Sequence, residues 1–109
     1  MVPVSEEKDR PYYRLAEIHS LLAAEHRRIR TEVLTDANNH FGLDREGIYD
    51  LVAKLTEADW YKSMPAANYP GVVFDVYHAT VDPPGVVAYI KFYIDDERNE
   101  VVIQSCKKK

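Results

Sequence analysis

A single cysteine in 109 residues excludes an intrachain disulfide and a thiolate zinc cluster. Cys106 lies in the run Val101-Val102-Ile103-Gln104-Ser105-Cys106, where a small buried apolar residue is the plain expectation and a reactive thiol the rarer one. Glycine is almost as scarce. Gly42, Gly47, Gly71 and Gly85 are scattered, so they assemble neither a phosphate-binding loop nor a dinucleotide fingerprint. The histidines, His19, His26, His40 and His78, form no HExxH arrangement, so no metal site is expected, and no cofactor. Ser63 and Ser105 sit in no GxSxG elbow and have no evident neighbouring base. Long apolar runs are missing as well, which excludes a membrane-spanning helix. Met1 to Glu7 has neither the basic start nor the apolar middle of a signal peptide, and a cytoplasmic protein is expected.

Positive charge is in short supply. Fourteen Lys and Arg stand against 18 Asp and Glu, for a net charge of −4. A protein that coats nucleic acid without sequence preference needs a basic surface, so that class is disfavoured. The deficit is uneven: residues 1–59 carry 8 basic and 12 acidic side chains, residues 60–109 carry 6 of each, and the chain closes on Lys107-Lys108-Lys109. RNA would be handled here at a small local site, as an enzyme handles it.

What is present is an ordinary globular composition, 46% hydrophobic and 29% charged, on a length suited to one core. One domain over residues 1–109 is expected, with 1–11 polar, proline-bounded and loose. Leu15, Ile18, Leu21 and Leu22 predict a first helix to about Glu25. Arg27, Arg28 and Arg30 follow as an exposed helix end or a basic connector. A second helix is predicted from Thr31 to His40, closed by Gly42. Asp44 caps a third, in which Ile48, Leu51, Val52 and Leu55 form one buried stripe. Thr56 opens a single acidic turn to Asp59. Strands then take over: Trp60 to Met64, Val72 to His78, Val86 to Ile94 and Val101 to Lys107, with a turn at Asp82-Pro83-Pro84-Gly85. In the longest, Val86, Ala88, Ile90, Phe92 and Ile94 face one way and Val87, Tyr89, Lys91 and Tyr93 the other. Helices first and strands second predict an α+β fold with N-terminal helices packed on a C-terminal antiparallel sheet.

The second half concentrates Lys62, Tyr77, His78, Tyr89, Lys91, Tyr93 and Lys107. The plain reading is that polar residues alternate outward on a sheet with one wet face. The chemical reading is that cleavage of RNA by attack of the ribose 2′-OH on its own 3′-phosphate needs a base, an acid and cations, all of which Lys, His and Tyr supply. Aromatic rings can also hold splayed bases. Strict alternation puts Tyr77 and His78 on opposite faces, so both share one site only if a bulge intervenes.

Several segments, in order, carry a resemblance. Glu57-Ala58-Asp59-Trp60-Tyr61-Lys62-Ser63-Met64 resembles the E-S-D-F-Y-K-S-M signature of the MqsR family of mRNA interferase toxins, within the RelE-like group. Asp75-Val76-Tyr77-His78 is similar to that family's W-Q-D-V-Y-(R/H) strand, and Ala88-Tyr89-Ile90-Lys91-Phe92 to its V-Y-L-K-(I/F). Val101 to Lys109 resembles V-L-I-V-S-F-K-E-K. Upstream, Leu34 to Asp44 and then Gly47 resemble L-L-N-A-D-E-L-G-L-D-x-x-G.

The resemblance implies a RelE-like fold and a metal-independent, ribosome-independent, sequence-selective mRNA endonuclease that stops growth and is neutralised by a cognate antitoxin. Lys62, Tyr89 and Lys107 fall on active-site positions of the family. His78 joins them as the group that titrates near neutrality. Lys91, Tyr61 and Lys108 are the candidate RNA contacts. Two positions depart from the pattern. Phe74 replaces a glutamine counted among the family's functional residues, and Cys106 replaces an aromatic ring. A catalytically weakened module that keeps antitoxin or RNA binding is therefore the competing reading. A ribosome-dependent nuclease would need a more basic surface than −4 allows.

Overall fold

The apolar spacing of Leu15, Ile18, Leu21 and Leu22 produces α1 (Leu15–Ala23) and buries all four side chains. This is seen in a computed structural model that describes residues 10–82 and 85–109. The helix stops before the expected Glu25, because Glu25 itself turns left-handed at φ 64°. There the His26 N–H donates to the Leu21 carbonyl at 2.9 Å and the Glu25 N–H to the Leu22 carbonyl at 3.0 Å. Such a paired closure usually recruits glycine.

The chain then enters β1 (Arg27–Ile29), where the sequence suggested only a helix end or a connector. It runs parallel to the final strand, with Arg27, Arg28 and Ile29 opposite Val101, Val102 and Ile103. Its arginines are held by groups remote in sequence. Arg28 pairs with Glu100 at 2.8 Å and Asp95 at 3.3 Å, and Arg27 lies 4.1 Å from the centre of the Tyr49 ring.

Helices α2 (Thr31–Phe41) and α3 (Arg45–Ala53) follow the predicted bounds closely. Gly42 ends α2 in the left-handed region at φ 72°, and the Asp44 carboxylate caps α3 by accepting the Gly47 N–H at 2.8 Å. His19 links α1 to α3 through its Nε2, 3.1 Å from the Val52 carbonyl. The acidic turn is a 3-10 turn over Glu57–Asp59, closed by Thr56 and Asp59 reciprocally.

Four strands complete the fold: β2 (Trp60–Pro65), β3 (Val73–Val81), β4 (Val86–Asp95) and β5 (Glu100–Lys108). Their order across the sheet is β1-β5-β4-β3-β2, antiparallel except at the β1–β5 edge. The architecture is α+β, with the helices on one face. Between them and the sheet lies the core, where Ile18, Ile48, Ile90, Phe92 and Ile103 are fully buried; each such side chain contributes roughly 1.5–3 kcal/mol. Cys106 belongs to this core, and burial pushes its thiol up to about 12, so it acts as an un-ionised apolar filler.

The predicted loose segment 1–11 lies, for residues 1–9, outside the described residues, as do Pro83 and Pro84 of the predicted turn. The residues that follow are anchored. Tyr12 and Tyr13 donate their backbone N–H groups to the buried Asp75 carboxylate at 3.0 and 2.8 Å, and the Tyr13 hydroxyl donates to the Val73 carbonyl at 2.7 Å. Ser63 Oγ donates to the same carboxylate, and the Trp60 indole N–H donates to Ser63 Oγ at 3.3 Å. Asp75 thus ties Tyr12 and Tyr13 to β2 and β3, its buried carboxylate accepting three hydrogen bonds. Among the described residues no helix is long and apolar enough to cross a membrane.

Candidate active site on the open sheet face

The face of the sheet away from the helices is where the chemistry gathers. On β3, β4 and β5, His78, Tyr89 and Lys107 lie directly opposite one another. Tyr89 faces Lys107 and Lys91 faces Ser105, so Lys107 shares the face of Tyr89.

On β2 a register shift between Trp60 and Lys62 makes Tyr61 an extra residue. Trp60 packs against the core while Lys62 lies opposite Val76 on the open face. Tyr61 swings to the same side and stacks on His78, with ring centroids 4.2 Å apart and planes 22° from parallel. Two consecutive residues therefore serve one face, which unbroken pleating forbids. Tyr77, by contrast, is fully buried on the helix side.

The result is one continuous row across four strands: Lys62, Tyr61, His78, Tyr89, Lys107. Lys62 Nζ lies 5.6 Å from the Tyr61 ring centre, His78 and Tyr89 are 6.0 Å apart, and Lys107 Nζ is 5.7 Å from the Tyr89 ring. Lys91 sits beside the row with its Nζ 4.9 Å over Phe74. Among the described residues Arg27, Arg28 and Arg30 are ion-paired, whereas Lys62, Lys91 and Lys107 are not. Their charges stay available to a polyanion.

The electrostatics follow from this crowding. Partial burial, with Lys109 and Lys62 nearby, holds the His78 imidazole below its ordinary value and favours the neutral ring. Burial together with the neighbouring Lys107 and Lys62 also lowers Lys91. Burial, aided by Tyr61, raises Tyr89 and keeps its hydroxyl protonated. Among the described residues no three His, Cys, Asp or Glu side chains converge as a metal site would require.

Of the seven residues assigned from the sequence to catalysis or RNA contact, six meet here: Lys62, Tyr61, His78, Tyr89, Lys91 and Lys107. Lys108 does not. It lies opposite Ala88, whose side chain is in the helix-side core, and its backbone N–H donates to His40 Nδ1 at 3.0 Å. Lys109 is the residue the sequence reading passed over. Its backbone N–H donates to the Val87 carbonyl at 3.0 Å, and its charge bears on His78. Alternation from Lys107 was the available signal.

Ammonium groups that are unpaired among the described residues, set around stacked rings on a small α+β domain, can attract a polyanion. The comparisons give the class: residues 10–107 match the family model described as "Motility quorum-sensing regulator, toxin of MqsA", so the protein is a toxin. The chain belongs to the MqsR toxin family. Among its relatives is the mRNA interferase toxin MqsR of Escherichia coli (strain K12), 31% identical over 103 residues that cover 94% of this chain and 99% of the relative.

Proposed function

We propose that this toxin is an endoribonuclease that cuts mRNA with sequence preference, without metal or ribosome, in the cytoplasm, and that a cognate antitoxin of the MqsA kind holds it in check. The observation that carries this reading is the row Lys62–Tyr61–His78–Tyr89–Lys107 with Lys91 beside it.

In this mechanism neutral His78 takes the proton of the ribose 2′-OH as its oxygen bonds to the adjacent phosphorus. Lys62 and Lys107 stabilise the extra negative charge of the phosphorane. The bond from phosphorus to the 5′-oxygen breaks, and that oxygen takes a proton from Lys91, whose ammonium is made more acidic by burial and by the neighbouring Lys107 and Lys62. Tyr61 and Tyr89 offer ring faces for the flanking bases. The products are a 2′,3′-cyclic phosphate and a 5′-hydroxyl. Purified chain on naked RNA in EDTA tests this: cutting with those ends supports it, and cutting only with added divalent cation or ribosomes removes it.

Phe74 favours a second reading. It is 5% exposed, 5.6 Å from Tyr93, and lies under the Lys91 ammonium, where it offers no hydrogen bond to RNA. A toxin fold that binds antitoxin or RNA without cutting would leave growth unaffected when produced alone, whereas the enzyme arrests it.

A further inference from the structure

Next to Lys91 on the same open face is a cavity of about 400 Å³, within the range of ligand pockets, roughly 300–1,000 Å³. Arg30, Asn68, Tyr69, Phe74, Lys91 and Gln104 line it. We propose that this cavity is a base-reading subsite that holds one unpaired purine of the RNA, read by Arg30 and Gln104, next to the scissile phosphate. The inference rests on the RNA-cutting reading of the neighbouring row.

Gln104 reaches the cavity because of a second bulge. Lys91 pairs with Ser105 and Phe92 with Ile103, so Gln104 is the unpaired extra residue of β5. Without it, strict alternation would put Val102 and Ser105 on opposite faces. With it, Val102 lies opposite Tyr93 and Lys107 opposite Tyr89, all on the open side. Among the described residues no side-chain hydrogen bond occupies the amides of Gln104 or Asn68, so donors and acceptors remain for a ligand.

Arg30 is held as a reader and not as a phosphate clamp. Its Nε and Nη2 donate to the two Glu32 carboxylate oxygens at 3.1 and 3.2 Å, and its Nη1 donates to the Tyr69 hydroxyl at 3.2 Å. The carboxylate offsets its charge and fixes its plane. A guanidinium has five N–H donors, so two stay free after these three bonds. A pair of donors on one arginine matches the O6 and N7 acceptors of guanine, whereas adenine offers one acceptor and a donor on that edge. The cavity wall adds the exposed ring of Tyr69, which suits a flat heterocycle and packs edge-to-face on the buried Phe74 at 6.5 Å. Lys91 lines both this cavity and the cationic row, so a base in the cavity belongs to a nucleotide adjoining the phosphate being cut.

The test uses guanosine 3′-monophosphate and uridine 3′-monophosphate as probes, followed by NMR of the side-chain amide signals of Gln104 and Asn68. Guanosine 3′-monophosphate should shift both signals and bind at least about fivefold more tightly than the uridine compound. Arg30→Lys, which keeps the charge but loses the fork, and Gln104→Val should each weaken it about fivefold or more with the backbone spectrum still dispersed. In parallel, 5′-end sequencing of digested RNA should show a purine beside the cut that both variants relax. Equal binding of the two nucleotides, or unchanged cut sites in both variants of a chain that cuts, overturns the subsite and leaves cleavage standing. Amide shifts in a chain that cuts no RNA retain the subsite and remove cleavage.

Discussion

Tyr61 lies flat on His78, with ring centroids 4.2 Å apart, and it does so only because β2 carries an extra residue at Tyr61. The bulge brings Tyr61 and Lys62 to one face and puts a half-exposed ring over the imidazole. Removing the ring in Tyr61→Ala should slow cleavage about tenfold, the scale of one base–aromatic stack. It should also raise the His78 titration midpoint toward 6.5 as water reaches the ring. Cleavage rates and an NMR titration of the imidazole protons check both, and an unchanged midpoint would mean that Tyr61 does not shield His78.

His78 also sets a pH dependence. Its folded value lies below the ordinary 6.5, so the unfolded chain binds the proton more readily. Any stabilisation from the neutral ring is therefore present above pH 6.5 and is lost as pH falls through the folded value. A general base with that titration gives a cleavage rate that falls on the acid side with a midpoint below 6.5. His78→Gln should lower the rate and erase that limb; a variant profile with the limb intact would assign the base to another group.

Asp75 is predicted to hold the chain's beginning in place. Asp75→Ala strands the backbone N–H groups of Tyr12 and Tyr13 and should cost about 3 kcal/mol in urea unfolding. Trypsin should then cleave faster after Arg14, whose bond to Leu15 is a substrate, unlike the bond of Arg10 to Pro11. Asp75→Asn, which keeps one carbonyl acceptor, should cost less. A neutral Asp75→Ala would show that these bonds add nothing.

Glu25 occupies a position suited to glycine. At φ 64° a side chain costs roughly 1–2 kcal/mol, part of which glycine returns as lost chain entropy. Glu25→Gly should therefore raise stability by about 0.5–1 kcal/mol, seen as a higher midpoint of thermal unfolding, and a lower midpoint would contradict it.

Much of the fold was legible where one element carries its own pattern. The stripe of α1, the Asp44 cap, the Gly42 stop and the alternation of β4 need only neighbours in sequence. What stayed hidden depends on partners far along the chain. β1 is three residues long with Ile29 alone buried, so it has no period to read; its pairing with Val101–Ile103 makes it a strand. Asp75 read as part of a motif without a task, because its donors lie 62 and 63 residues away in Tyr13 and Tyr12. The residues of the candidate site were singled out by residue type and family likeness, which pointed to Lys62, Tyr89 and Lys107. The site's geometry was not legible, since bulges at Tyr61 and Gln104 arise from strand pairing and decide which side chains share a face. Lys108 shows the converse: a basic residue in a basic run, turned by alternation toward the helices.

The cationic row is tested most directly by cleavage of naked RNA in EDTA by the unsubstituted chain, Lys62→Met and Tyr89→Phe, with circular dichroism to confirm folding. The unsubstituted chain should cut. Lys62→Met should lose at least about a hundredfold in rate, the scale of one group that stabilises developing charge, and Tyr89→Phe should lose less. Full cleavage by both folded variants would contradict a site built on this face.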